Sequence, residues 1–285
     1  MYNKILSYSD TSFDENNTIN YSLSIELSFD GFSLCVLDRE KYKYVAIENY
    51  NFDRILCYDD LYKTLKEIIF NTWLQKKYFN VNLVFYNHKS TLVPSDLFNP
   101  ESITTYLAFN HLINNEDCLL SDKLNNLNAI NVYTIPTVVK QLFDSTFQNI
   151  KYRHYSSSLI ENLFYQYQNE NNKKIVIIHI QSNHFEAVVL KGKTFLFYNT
   201  FAFKTAEDFL YYLIFVTEQL ELDIENQEFI ILGEVEKNSP ISEQIYTFIK
   251  NYRFGERTDI FKYSDAFDDI PLHFYYNLFN IVACG

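Results

Sequence analysis

Glycine is scarce here: 5 of 285 residues, with proline also at 5. Phosphate loops lean on glycine, because only a residue without Cβ lets backbone amides close on an anion. Neither G-x-x-x-x-G-K-[ST] nor G-x-G-x-x-G occurs, which excludes the P-loop and dinucleotide-binding classes. No G-x-S-x-G occurs either, so a hydrolase nucleophile elbow is excluded. Positive charge is also short. Lys and Arg number 24 against 36 Asp and Glu, a net charge of −12. That argues against nucleic acid as a ligand, since binding it requires neutralised phosphates. No apolar run approaches the roughly 18 residues a membrane helix needs. The opening "MYNKILSYSDTSFDENN" has no apolar core of signal-peptide length, so the expectation is a cytoplasmic protein without membrane insertion. The four cysteines, Cys35, Cys57, Cys118 and Cys284, show no C-x-x-C spacing. They read as free cytosolic thiols rather than a zinc site.

Aromatic mass is plentiful, with 24 Tyr and 26 Phe. One reading is compositional bias, since Asn, Lys, Ile and Tyr are all frequent. The other is an aromatic surface for a partner. The hydrophobic share of 47% fits a globular chain rather than a disordered one. The length fits one large domain or two modest ones.

Two stretches repeat one pattern. "LSIELSFDGFSLCVLDREKYKYVAIENYNF" (23–52) and "IVIIHIQSNHFEAVVLKGKTFLFYNTFAF" (175–203) each read as strand, turn, strand, turn, strand. Ile25 matches Ile178, Phe32 matches Phe185 and Leu37 matches Leu190, each pair 153 positions apart. In the first turn Asp30-Gly31 supplies hairpin chemistry through glycine's tolerance of positive φ. In the second, Ser182-Asn183 does so, and Lys191-Gly192-Lys193 turns again. An amphipathic helix follows each meander. Leu61, Leu65, Ile68 and Ile69 face one way in the first. Phe209, Leu213, Val216 and Leu220 do so in the second, with Thr205 and Asp208 placed as N-cap and N3 acid. Buried strands come next, Val81–Tyr86 and Phe229–Gly233. Helices opened by proline complete each copy, "PESITTYLAFNHL" and "SPISEQIYTFIKNY". Between the copies, the spacing predicts strand 132–135, a helix from Pro136, strand 150–155 and a helix from Ser157. The polar run Gln168 to Lys174 is the expected boundary.

The order β-β-β-α-β-α, run twice, predicts a mixed α/β sheet with helices outside. It resembles the actin-like ATPase fold, whose halves are ribonuclease-H-like and which sugar kinases and pilus-assembly ATPase-like proteins share. "VYTIPTVVKQLFDSTF", "YRHYSSSLI", the second meander and "PLHFYYNLFNIVACG" resemble a bacterial family of proteins of unknown function assigned that fold. The resemblance implies two lobes, 1–170 and 171–285. It also implies a C-terminal helix over about 271–285, packed back on the first lobe. That helix would carry Leu272, Tyr275, Tyr276, Phe279 and Val282 on one face.

In active members of the fold, each first turn holds an Asp and small residues around phosphates and Mg²⁺. Counting back from the turns, the Asp positions fall at Glu26 and His179. The close-approach glycines fall at Ser28 and Gln181. Paired glycines beside adenine would stand at Leu232-Gly233-Glu234, where one glycine remains. A Cβ at these places crowds a phosphate, and Glu234 adds negative charge where a nucleotide approaches. Strand alternation puts Glu26, Ser28 and Ser33 on one face, and His179, Gln181, His184 and Glu186 on another. Two readings stand: a metal held by His179, His184 and Glu186, or a polar, hydrated sheet end. If the halves face each other as in the family, both faces look into one cleft.

The other histidines, His88, His111, His154 and His273, are scattered. His154 beside three serines suggests Ser-His chemistry, but reads better as a strand end and helix cap. "DAFDDI" (265–270) reads as a solvated helix approach. The chain is expected to be a non-catalytic, protein-binding or scaffold member of the fold, needing no cofactor or metal and binding no nucleotide. Its candidate cleft positions are Glu26, Ser28, Asp30, Gly31, His179, Gln181, Ser182, Asn183, His184, Glu186 and Gly233. The alternatives are a residual ATPase or kinase using Glu26 for Mg²⁺, or a metal-dependent hydrolase.

Overall fold

A computed structural model of the chain describes residues 2–53, 55–169 and 174–284. The expected boundary at 170/171 lies outside the described residues. Contacts divide the chain into two compact units. The first takes Met1–Glu161, Asp259–Asp269 and Asn277–Gly285; the second takes Asn162–Thr258 and Ile270–Tyr276.

The first unit opens with β1 (Tyr2–Ser9), then β2 (Tyr21–Leu27), β3 (Gly31–Asp38), β4 (Lys43–Phe52), α1 (Tyr58–Phe70) and β5 (Asn80–Phe85). It continues with β6 (Ser90–Pro94), α2 (Ile103–Ala108), β7 (Asp117–Leu124), β8 (Ala129–Pro136), α3 (Thr137–Thr146), β9 (Ile150–His154) and α4 (Tyr155–Tyr167). The main sheet runs β1-β4-β3-β2-β5-β9. Alternation along β2, β3 and β5 turns Leu23, Ile25, Leu27, Phe32, Leu34, Leu83 and Phe85 to one face. There they meet α1 and α3 through Leu61, Leu65, Ile68, Val139 and Phe143. Each such side chain contributes about 1.5–3 kcal/mol on leaving water.

β6, β8 and β7 form a separate antiparallel sheet over a small core of Val93, Leu107, Ile130 and Val132. This corrects one expectation. The helix in "PESITTYLAFNHL" is the six-residue α2 of this insert, not the counterpart of the helix from Pro240. The strand expected at 132–135, between the copies, lies within β8 of the insert sheet. The helix that closes the first copy is α3, whose N-cap is Pro136.

The second unit runs β10 (Lys174–Ile180), β11 (His184–Lys191), β12 (Thr194–Ala202), α5 (Ala206–Gln219), β13 (Glu228–Gly233), α6 (Pro240–Phe248) and β14 (Tyr252–Phe254). Its sheet order is β12-β11-β10-β13-β14. Compared with β4-β3-β2-β5-β9 of the first unit, the duplication is direct: same order, two antiparallel pairings, then two parallel ones. The registers agree too. Ile25 pairs with Leu34 and Glu26 with Ser33; Ile178 pairs with Ala187 and His179 with Glu186. Thr205 and Asp208 form the expected capping box of α5. The core is Phe185, Phe201, Phe209, Leu213 and Val216 against Ile178, Ile231 and Ile245. Phe185 packs at 5.0 Å on Phe209 and 5.2 Å on Phe201.

The tail adds β15 (Lys262–Tyr263), parallel to β4, and α7 (Tyr276–Asn280). The helix expected over about 271–285 is much shorter. Gly233 N–H donates to the His273 carbonyl at 2.8 Å, and Phe274 N–H turns back to Pro271. Residues 271–274 are thereby pinned as a turn on β13, and Tyr275 adopts φ 56°. Leu272 stays exposed, so it shares no helical face with Phe279. After α7 the chain tightens into a 3-10 turn, Ile281–Cys284. The Tyr44 hydroxyl donates to the Phe279 carbonyl, and Cys35 Sγ lies 3.6 Å from the Leu278 carbonyl. Burial pushes the Cys35 thiol well up, with Ser24 opposing, so this cysteine behaves as a small apolar residue. "DAFDDI" opens as a 3-10 turn, Asp265–Phe267, capped by Ser264.

No helix among the described residues is long and apolar enough to cross a membrane.

Candidate functional site

The first hairpin turn is closed by its own serine. Ser28 Oγ accepts from the backbone N–H of Asp30 at 3.0 Å and of Gly31 at 3.1 Å. Ser28 N–H in turn donates to the Gly31 carbonyl. Gly31 does not adopt the positive φ expected of it. It is needed for closeness instead, since a Cβ there would lie 2.9 Å from the Tyr50 carbonyl. The side-chain hydroxyl replaces the left-handed residue as the device that tightens the turn. Two backbone donors that could face an anion are thus already engaged. Ser28→Ala should cost about 1–2 kcal/mol, since both amides lose their acceptor, and urea unfolding measures it. A loss below a few tenths of a kcal/mol would mean water replaces the hydroxyl without penalty.

Glu26 is half-buried beside Ser33 on the next strand. Asp30 is exposed at the tip, and its carbonyl accepts from Phe52 N–H.

The second hairpin carries a buried charge cluster. His179 and Glu186 oppose each other across β10 and β11, and Glu186 has no exposed surface. One carboxylate oxygen, Oε2, lies 3.2 Å from His179 Nδ1; the other, Oε1, lies 3.1 Å from His184 Nε2. His184 Nδ1 is 2.6 Å from Asn183 Oδ1. Burial pushes the Glu186 carboxyl up, but the field of His184 and the hydrogen bond with His179 overcome it and bring it down to about 2. The half-buried Glu234 lies within the field of His184; burial raises its carboxyl and that charge opposes. Gln181 N–H donates to the His184 carbonyl and Phe203 N–H to the Asn183 carbonyl. Ser182 and Asn183 stand exposed. The positions read from the sequence therefore divide. His179, His184 and Glu186 meet, Gln181 and Asn183 hold the turn, and Ser182 faces solvent. Among the described residues no three His, Cys, Asp or Glu side chains stand as a metal-holding group.

Gly233 ends β13 against the same hairpin. Its φ is +91°, and a Cβ would lie 2.0 Å from the Ile180 carbonyl oxygen. Glu234 N–H donates to that oxygen at 2.7 Å.

His154 ends β9 in a buried network. Its Nδ1 lies 2.7 Å from Ser156 Oγ, and its Nε2 3.2 Å from the Asn87 carbonyl. Asp122 accepts from the His154 backbone N–H at 2.8 Å and from the Tyr133 hydroxyl at 3.1 Å. Asn131 donates to Ser156 and Ser157. The aspartate holds the backbone rather than the imidazole, so no charge-assisted triad forms. Sequence reasoning missed Asp122 and Asn131, and placed Glu234 beside Gly233 without its link to His184. The first two sit on insert strands whose pairing sequence spacing does not reveal. Only the proximity of β13 to the hairpin brings Glu234 to His184.

The family described as "Protein of unknown function (DUF3822)" matches residues 10–252. No curated protein matches the chain. A Bacteroides thetaiotaomicron VPI-5482 protein with actin-like ATPase fold and unknown function is similar at 22% identity. The match covers 85% of this chain and 93% of that one, with a TM-score of 0.76. A chain of the PilM-PilN type IV pilus biogenesis complex is similar at 13% identity and TM-score 0.60, covering 92% and 98%. The fold is therefore the actin-like ATPase fold.

Proposed function

We propose that this chain, which belongs to the DUF3822 family, is a non-catalytic actin-like protein that works by binding another protein. The observation that carries the reading is the Ser28 hydroxyl. It engages the Asp30 and Gly31 amides, the donors a phosphate in this hairpin requires. In the second hairpin the Asp position holds His179, locked to a buried Glu186. A carboxylate already paired with two imidazoles is a poor base for Mg²⁺, which demands oxygen ligands and several waters. Glu234 beside Gly233 adds a carboxylate where a nucleotide would bring more negative charge. ATP and Mg²⁺ do not fit these residues. A protein-binding role also agrees with the PilM-PilN relative, which is named as half of a two-protein complex.

A thermal melt with and without Mg-ATP tests the reading. A ligand at about 100 times its Kd adds roughly 2.7 kcal/mol, worth several degrees for a protein of this size. No shift is expected with Mg-ATP, nor with Zn²⁺ or Mn²⁺ alone. A rise of several degrees with Mg-ATP would overturn the reading and favour an ATPase. A rise with a metal alone would favour the hydrolase.

A further inference from the structure

We infer that β12 pairs edge to edge, antiparallel, with β12 of a second copy of this chain. β12 ends the second unit's sheet, hydrogen-bonded through β11 on one side. Sheet edges are templates for further strands, and proteins blunt them with charge, proline, shortness or bulges. The other edges of the two main sheets are blunted. β1 carries Lys4, ion-paired to Glu48, and a register shift between Lys4 and Leu6. β9 is five residues long with Lys151 and Arg153. β14 is three residues long, with Arg253 paired to Glu228. β12 is nine residues, TFLFYNTFA, without a charge, a proline or a glycine. Its one irregularity, at the N-terminal end, leaves Leu196 unmatched across from β11 and the stretch from Phe197 to Ala202 regular.

The strand offers its side chains as well as its edge. Leu196 is 44% exposed. Phe201 stacks on Tyr212 of α5 at 5.3 Å, Tyr212 touches Tyr211 at 5.3 Å, and Tyr211 is 65% exposed. An added strand would extend the sheet beside this aromatic step.

Charge selects a second copy as the occupant. The chain as a whole is at −12, so two copies repel wherever their average surfaces meet. β12 is a neutral stripe with opposite charges at its ends. Lys191 and Lys193 precede it; Lys204, Glu207 and Asp208 follow it, a net single negative charge, and all five are exposed. Antiparallel self-pairing lays the basic end of one copy beside the acidic end of the other, which is the two-fold, isologous arrangement of most dimers. Parallel pairing would set like against like.

Two substitutions address the edge and spare the fold. Leu196→Lys puts a charge on an exposed edge position, a device natural edges use. Thr200→Pro removes an N–H that donates to its neighbour Asn199 rather than to β11, and an edge tolerates proline where the N–H faces outward. Light scattering coupled to size exclusion is run from low to high micromolar concentration. The wild type should rise from 34.0 kDa toward twice that mass. Both variants should stay at the monomer mass while keeping the wild-type circular dichroism spectrum. If one variant loses its fold, the other decides. A wild type that remains monomeric throughout overturns the inference. So does a dimer that survives either folded variant, because it would lie elsewhere.

Discussion

Replacing Gly233 by alanine should remove about 3 kcal/mol or more of stability, the largest effect expected of any single methyl group in the second unit. Two independent causes act together. The backbone at Gly233 has φ +91°, a region closed to residues with a Cβ. The added Cβ would also lie 2.0 Å from the Ile180 carbonyl oxygen, 2.7 Å from its nitrogen and 2.8 Å from its carbonyl carbon. Those atoms are backbone and cannot swing aside as a side-chain tip can. Relief requires β13 to leave β10 at the Ile180–Gly233 pairing. The adjoining pair is His179–Leu232, so His179 and its partner Glu186 would move as well. Gly192 is the control. It sits in the β11–β12 turn at φ +52°, and Gly192→Ala should cost only about 1 kcal/mol, the conformational term alone. Urea unfolding of the two variants compares them directly. Equal losses would show that positive φ, not the Ile180 contact, governs Gly233.

Why that glycine matters was only half legible. The sequence placed Gly233 at a late strand end, yet its necessity is a contact with a strand more than 50 positions away. Other features were fully legible. The repeat offset of 153 reappears as the Glu26–Ser33 and His179–Glu186 pairings, because alternation fixes which face a residue takes and a one-residue slip would bury the wrong set. The capping box at Thr205 and Asp208 is local chemistry and could be read locally.

What failed was non-local. "PESITTYLAFNHL" has helical spacing, but spacing does not say which sheet a helix serves, and α2 serves the insert. β1 was missed because its exposed, polar strand Tyr2–Ser9 lacks the apolar alternation that marks a strand. The long C-terminal helix was expected from period and family resemblance, while a backbone bond from Gly233 to His273 decided otherwise. At the hairpins, residue types and faces could be read. That Ser28 closes its own turn and that Glu186 divides its oxygens between two imidazoles are properties of distance, which a sequence does not carry.

Glu186→Gln should cost about 2–4 kcal/mol at pH 7, because it removes a fully buried charge from between two imidazoles that are themselves buried. The acid dependence is the sharper test. The folded-state carboxyl sits at about 2, below its ordinary value of 4.5. Between those values the unfolded chain binds more protons than the folded one, so stability rises with pH there. The contribution is fully present above about pH 4.5 and is lost as pH falls through about 2. The gap between wild type and Glu186→Gln should therefore be open at pH 5 and close as pH falls through that window, which urea titrations at pH 5, 4 and 3 resolve. Other carboxylates drive acid unfolding too; Asp10, for one, is held low by bonds from Lys43 and Ser264. Subtracting the glutamine variant cancels them. His184→Gln tests the same coupling from the other partner. Without the interaction that does most to lower Glu186, the carboxyl moves up from its wild-type position, so stability should begin to fall at a higher pH than in the wild type. Parallel pH profiles for wild type and Glu186→Gln would mean that the carboxylate is held by shape alone and that the paired imidazoles contribute no charge.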